Sequence, residues 1–462
     1  MMKKALTFGA LVALISLNST SAFAVGSGGL ENATFSAKSL AMGDAVTATP
    51  DEPAAISYNP AGIADLPGVQ FQGNASFLSM FTWKKNTEAE GNTRSSGTIS
   101  TVPTAYLTIN PGKVFDDKLA IGIGTDSPFG LMNKYKGGDA SVRYTGWRNY
   151  LKMYTIKPTI AYKVTDKFSI GGGPMWYRVY DFGGIQAYPN ILGPMYGMGG
   201  ITSDGQVRMN LSGQSWGWQM GALYKITPKH RLGYYFRSPV IVKASGLAKV
   251  ENSAIGNFET GTHTKIPLPL NMTWAYAYQP TVKTHYEIDF TWTRWSSMKR
   301  LRFPADSTGN FREDFILDQI GNSSGTDKDW NNGFGIELGT SHKLTDKLTL
   351  RGGSFFFWTP IPKDHFTPAI PDANHLAVCA GLGYEINKYL TADLAYYNSF
   401  YFTRKIDNEV GGGLGSVDGT YHSYLQSLTV SVTAHWDDIF PRSFANKGNE
   451  AEIPSLDMKS VK

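Results

Sequence analysis

Eight histidines, His230, His263, His285, His342, His365, His375, His422 and His435, are the first residues in this 462-residue chain to ask for chemistry. None belongs to a G-x-S-x-G nucleophile turn, and none falls in an H-E-x-x-H pair that would hold zinc. The single cysteine, Cys379, excludes an internal disulfide and a cysteine-based zinc site. Glycine triplets at 171–173 and 411–413 are not followed by the Lys-Ser/Thr of a phosphate loop. Enzyme activity, a metal and a cofactor are therefore not expected.

What remains is chemistry for greasy solutes. Segment 181–214 is long and apolar, and it carries Leu192, Met195 and Met198 among prolines and glycines. Methionines suit an adaptable surface for apolar ligands, although a loop packed on its neighbours would use the same residues. Strand parity turns Arg237 and Arg351 inward, where either could meet a carboxylate or pair with Glu287, Asp289 or acids of the N-terminal segment. Ser127, Pro128, Phe129 and Gly130 interrupt a strand begun near Lys118. Proline gives the ladder no donor and glycine often marks a bend, so this is a kinked strand or a strand end.

The elements that position these residues are strands. Glycine (50), phenylalanine (25), tyrosine (24) and tryptophan (11) are abundant while charged residues are only 18%, which excludes disorder and disfavours a helical bundle. A turn with a lysine recurs at Lys118, Lys167, Lys229, Lys283, Lys347 and Lys388, each time before an alternating strand. Six such turns join twelve strands, and one more at each end (about 69–83 and 424–436) makes fourteen. The long segments between them, 84–100, 125–150, 181–214, 239–269, 297–330, 358–374 and 403–423, read as loops on the opposite side. Alternation is clean in the last strand, where Leu428, Val430, Val432 and Ala434 share one face and Ser427, Thr429, Ser431 and Thr433 the other. Trp83, Tyr162, Trp274, Trp292, Trp295, Trp358 and Trp436 stand at strand ends, as interfacial girdles do. The expectation is an all-β fold, a 14-stranded antiparallel transmembrane β-barrel over 68–436, in a Gram-negative outer membrane with both termini periplasmic.

Residues 1–24 read as a signal peptide, with Lys3 and Lys4 before an apolar run and Ala22-Phe23-Ala24 at its end. No run of about 18 apolar residues suggests a membrane helix. Near-balanced charge gives no case for nucleic acid. Residues 25–67 are small and proline-punctuated, with a turn at Asn59, Pro60 and Ala61. A barrel of this size encloses more space than its own side chains fill, so 25–67 is expected to form a hatch in the lumen. Residues 437–462 are a polar tail.

Taken in order, Gly43-Asp44-Ala45, Asn59-Pro60-Ala61, Trp292-Thr293-Arg294-Trp295-Ser296, Arg351-Gly352-Gly353, Thr359-Pro360-Ile361-Pro362 and Pro371-Asp372 resemble the FadL-type outer-membrane transporters over about 40–436. The resemblance implies passive uptake of long-chain fatty acids or other hydrophobic molecules, through loop capture, an inner pocket and lateral exit at a kinked strand. It places the kink at Ser127–Gly130 and adds Arg178 and Arg302 as basic pocket positions beside Arg237 and Arg351. Outer-membrane lipids, lipopolysaccharide and the barrel-assembly machinery are the expected partners, and a monomer the expected state. Uptake of aromatic hydrocarbons through the same fold, and a surface adhesin or receptor with a closed lumen, stand as the alternatives. Where the family carries more glycines this chain has Phe35-Ser36-Ala37-Lys38, and it ends beyond its last strand rather than on an aromatic residue.

Overall fold

The structure is a computed structural model that describes residues 27–440, without 33, 86–91, 97–98, 136–141, 189–203, 254, 324–326, 409–416 and 438. Nineteen strand segments form one closed antiparallel sheet of fourteen strands, because three strands come in two pieces and the short segments Thr93–Arg94 and Arg404–Ile406 only extend its rim. The strands are β1 (Val69–Lys85), β2 (Ile99–Ile109), β3 (Leu119–Asp126 and Leu131–Lys134), β4 (Arg148–Lys163), β5 (Phe168–Tyr188), β6 (Gly205–Thr227) and β7 (His230–Arg237 and Val240–Glu251). They continue as β8 (Phe258–Leu268 and Asn271–Tyr278), β9 (Thr284–Thr293), β10 (Gly333–Lys343), β11 (Leu348–Trp358), β12 (His375–Asn387), β13 (Leu390–Tyr401) and β14 (Gly419–Trp436). Pairing of β1 with β14, from Val69↔Trp436 to Lys85↔Thr420, closes the barrel and leaves no free edge.

The lysine turns do what their spacing requires. The carbonyls of Lys118, Lys167, Lys229, Lys283 and Lys347 accept from Lys163, Lys225, Gln279, Lys343 and Glu385, which ties each tight turn to the neighbouring hairpin. Strand parity is as read: Leu428 and Val430 are exposed on the outer wall while Ser427, Thr429 and Ser431 are buried inside. Among the described residues, no helix is long and apolar enough to cross a membrane.

The structure corrects two expectations. Segments 239–269, 181–214 and 125–150 are not simply loops: β5, β6, β7 and β8 run far beyond the turns into the first two, and β3 and β4 into the third. Above the apolar band the outward positions become polar, as at Lys243, Ser245 and Lys249, so they carry no membrane signature although the ladder continues. Trp295 is not part of a girdle. The chain turns inward after Thr293, and Trp295 is fully buried against Phe129 and Trp330.

Proline also marks weak points in the wall. Pro158 and Pro174 face each other across β4 and β5, and ladder pairing is lost between Ile156↔Trp176 and Ile160↔Gly172, as two missing N–H donors require. The same row reaches Trp218 and then Ser238, whose Oγ, rather than its carbonyl, accepts from the Trp218 N–H at 2.9 Å.

Residues 27–66 lie inside the barrel. They fold into α1 (Ala37–Ala41), capped by reciprocal Ser36 and Ser39 bonds, then α2 (Ala55–Tyr58) and a 3₁₀ segment, Pro60–Asp65. Bonds reach the wall on all sides: Ala37 N–H to Ser431 Oγ, Thr47 N–H to Asp289, Ala54 N–H to Gln72 and Ser57 Oγ to Asp126.

Candidate functional site

Above the N-terminal segment the interior is apolar. Leu30, Leu131, Leu151, Met153, Met175, Tyr177, Trp295 and Trp330 belong to one buried cluster, and beside it lies a cavity of about 100 Å³. The upper parts of β3, β4, β5 and β8 supply one side of the cavity. Three inserted stretches close the other, contributing Met298, Leu301, Phe303, Trp330 and Ile370. A cavity holding one benzene ring is about 150 Å³. This one is smaller, so a long acyl chain enters only if lining residues move.

The cavity has one cationic lining residue among those described, Lys328. It is 7% exposed, and burial pulls its ammonium down to about 8 despite the opposing pull of Asp327. At neutral pH it is still mostly charged, and the rest of the lining is largely leucine, methionine, phenylalanine, isoleucine and tryptophan. An amphipathic acid is the chemistry such a site complements. Sequence reasoning missed Lys328 because it lies off the strands, where parity assigns no direction; its neighbour Trp330 was the only cue.

Next to the cavity, the wall is broken at the kink. β3 pairs with β2 only up to Ala105↔Thr125 and with β4 up to Asp126↔Thr155, then resumes with β4 at Leu131↔Leu151. Ser127–Gly130 are outside the ladder, and their backbone bonds to the N-terminal segment instead. Asn32 N–H donates to the Pro128 carbonyl at 2.9 Å and Gly130 N–H to the Leu30 carbonyl at 2.8 Å. The Asn32 amide donates to the Ser127 carbonyl at 2.9 Å. Phe129 is fully buried, with its ring edge-on to Trp295 and the Arg237 guanidinium 4.6 Å above it. Leu30 and Leu131, which flank the kink, also line the cavity.

The inward arginines are paired. Arg237 donates to Glu31 at 2.5 Å, and Thr293 also bonds that carboxylate. Arg351 meets Asp393 at 2.7 Å, near the turns and away from the cavity. Two more expected pocket residues do not line it. Arg178 projects from the outer wall between Trp176 and Tyr180, since Met175, Tyr177 and Val179 hold the inner face. Arg302 is exposed, while its neighbours Leu301 and Phe303 point to the cavity. Leu192, Met195 and Met198, the signal peptide and the 441–462 part of the tail lie outside the described residues.

Asn59, Pro60 and Ala61 fix the N-terminal segment to the wall. The Asn59 amide donates to the Thr47 carbonyl at 2.7 Å and to Ala222 O of β6 at 3.0 Å, while its Oδ1 accepts from Ala61 N–H. The turn presses against a cross-strand glycine pair, Gly171↔Gly221, where side chains would collide with Pro60 and Asn59. Outside, the Thr359-Pro360 and Pro371-Asp372 motifs meet each other: Thr359 Oγ donates to Asp372 at 2.6 Å. Burial raises the Asp372 carboxyl to about 7, against that bond and the nearby Arg404.

Comparison with known proteins agrees with this architecture. A Long-chain fatty acid transport protein of Escherichia coli K12 is 25% identical over 437 residues, 85% of this chain and 91% of that one. Outer membrane protein P1 of Haemophilus influenzae is 25% identical over 305 residues, 61% of this chain and 62% of that one. Among solved structures, a Pseudomonas aeruginosa FadL homologue superposes with a TM-score of 0.72 at 19% identity, covering 90% of this chain and 99% of its own. The Pseudomonas putida toluene transporter TodX gives 0.64 at 17% identity, covering 86% and 97%. The model of the family described as outer membrane protein transport protein (OMPP1/FadL/TodX) matches residues 15–435. A closed fourteen-stranded barrel of the outer membrane, matched over nearly its whole length, makes this chain a member of the FadL/TodX family of transport proteins for fatty acids or hydrophobic aromatics.

Proposed function

We propose that the protein passes long-chain fatty acids inward across the outer membrane, with residues 25–67 acting as a hatch. The observation that carries this is Lys328, a buried lysine in the lining of a mostly apolar cavity. It suits a solute with a carboxylate head and a hydrocarbon tail, and a neutral hydrocarbon would gain nothing from it. Capture occurs on the extracellular loops. The chain then enters the cavity as Leu30 yields, and it leaves sideways between β2 and β3 past Ser127–Gly130. Lateral release spares the tail the aqueous periplasm. The Leu30–Asn32 bonds to the kink are the closure that must open, since Leu30 belongs to both cavity and kink.

A second reading is uptake of single-ring aromatics. The small cavity favours it, and the toluene transporter TodX shares the fold. Uptake of labelled oleate and of toluene, in a Gram-negative host lacking its own fatty-acid channel, separates the two. Oleate uptake that falls about 10- to 100-fold in Lys328→Met, the loss expected for a charge-assisted bond, supports the first reading. Toluene uptake alone, indifferent to Lys328, supports the second.

A further inference from the structure

Arg178 is outside the barrel, and it has company there. The register places Tyr154 of β4, Arg178 of β5, Gln214 of β6, Lys243 of β7 and Lys265 of β8 in one row across five strands. All five face outward, because Val179, Val242, Ala244, Thr264 and Ile266 are buried on the inner side. We propose that Arg178, Lys243 and Lys265 bind the phosphates of the outer leaflet's glycolipid, lipopolysaccharide, on the barrel's outer wall.

Height is the first argument. One outward step toward the turns, the row is apolar: Ile156, Trp176, Trp216, Ile241 and Pro267. Along β6 the outward residues from Ile226 to Trp216 are Tyr224, Ala222, Met220 and Trp218. Ten residues at about 3.3 Å each, tilted about 40°, rise roughly 25 Å, the height of the apolar band of an outer-membrane barrel. The cationic row therefore begins where the hydrocarbon ends, on the side away from the tight turns, at headgroup level.

Charge is the second. Lys243 and Lys265 are directly opposite each other, a pairing that costs stability unless an anion bridges it. Among the described residues neither lysine makes an ion pair, and nor does Arg178. The acids around them are engaged, Glu259 with Lys249 at 3.1 Å and Asp181 with Lys152 at 2.9 Å. The next outward row up is Ser212, Ser245 and His263 on β6 to β8, which adds donors, and on β4 and β5 the Lys152–Asp181 pair, whose charges offset each other. Arg178 stands two strands from Lys243, roughly 10 Å, so the row offers two cationic centres to a headgroup with two phosphates. A wall flanked by lipid selects a lipid-borne phosphate, and in the outer leaflet that lipid is the glycolipid.

The test compares the wild type with Lys243→Glu/Lys265→Glu, both extracted in mild detergent and confirmed folded by heat-dependent gel mobility. Co-purified lipopolysaccharide is quantified, and delipidated protein is titrated with lipopolysaccharide and with its dephosphorylated form. Loss of one bridged phosphate contact is expected to weaken binding about tenfold or more. Dephosphorylation, which removes both phosphates, should weaken wild-type binding at least as much, and Lys167→Glu on the tight-turn side should bind normally. Should the double variant misfold, Lys243→Gln/Lys265→Gln carries the same test. Equal retention by the folded variant, or equal affinity for the dephosphorylated glycolipid, overturns the proposal.

Discussion

Replacing Gly221 by alanine tests whether the Asn59-Pro60-Ala61 turn holds the hatch to the wall. The new Cβ would fall on Asn59 Oδ1, which the bonds of the Asn59 amide to Thr47, Ala222 and Ala61 hold in place, and 2.8 Å from Cδ of the rigid Pro60 ring. At its cross-strand partner, Gly171, a Cβ would lie 2.6 Å from the Pro60 carbonyl oxygen and 2.7 Å from Ala61 N. Overpacking of this kind costs about 1–3 kcal/mol, and losing the Asn59 bond to Ala222 adds about 1 kcal/mol. A total near 2–4 kcal/mol shifts the seated hatch toward an unseated one roughly 30- to 700-fold. The matched control is Gly352→Ala, because at Gly352 the nearest atoms are 3.9 Å away. Planar-bilayer conductance and sensitivity of cells to a bulky hydrophilic antibiotic read the outcome. Gly171→Ala/Gly221→Ala should conduct and sensitise, while Gly352→Ala should behave as wild type. A folded double variant that remains as tight as Gly352→Ala would refute the anchoring argument.

Binding of a fluorescent fatty acid should weaken about tenfold between pH 7 and pH 9, because the ammonium of Lys328, held near 8, loses its proton over that window; a flat profile would remove it from carboxylate recognition. Lys157 and Asp126 form an ion pair of 2.5 Å with both side chains 1% exposed. Lys157→Met should destabilise the barrel by about 3–5 kcal/mol in urea unfolding, and Lys157→Met/Asp126→Leu should recover most of that, since the cost lies in the charge left buried. Pro128→Val with Gly130→Val, which permits regular pairing of β3, should lower oleate uptake without loss of insertion.

The barrel was readable in the sequence because one rule governs its wall. Leu376 and Val378 face lipid while Ala377 and Cys379 face inward, and the turn lysines count the hairpins. The same rule fails where both faces are apolar. In β5, Trp176 meets lipid and Tyr177 meets the interior cluster, so hydropathy gave no parity to Arg178, and family likeness placed it on the wrong side. It fails again off the strands, where Trp295 and Lys328 owe their burial to inserted segments packing on one another. The pairing of Arg237 with Glu31 joins residues 206 apart in sequence, and only the closed barrel brings them together.

On the proposed route, Leu30–Asn32 must leave the kink before a solute can pass. Leu30 and Gly130 are opposed across the Glu31↔Phe129 bridge, close enough for Leu30→Cys/Gly130→Cys to form a disulfide. Oleate uptake is then measured in oxidised cells and again after reduction. Uptake that vanishes on oxidation and returns on reduction is the predicted result. Uptake that proceeds equally with the bond intact would contradict it.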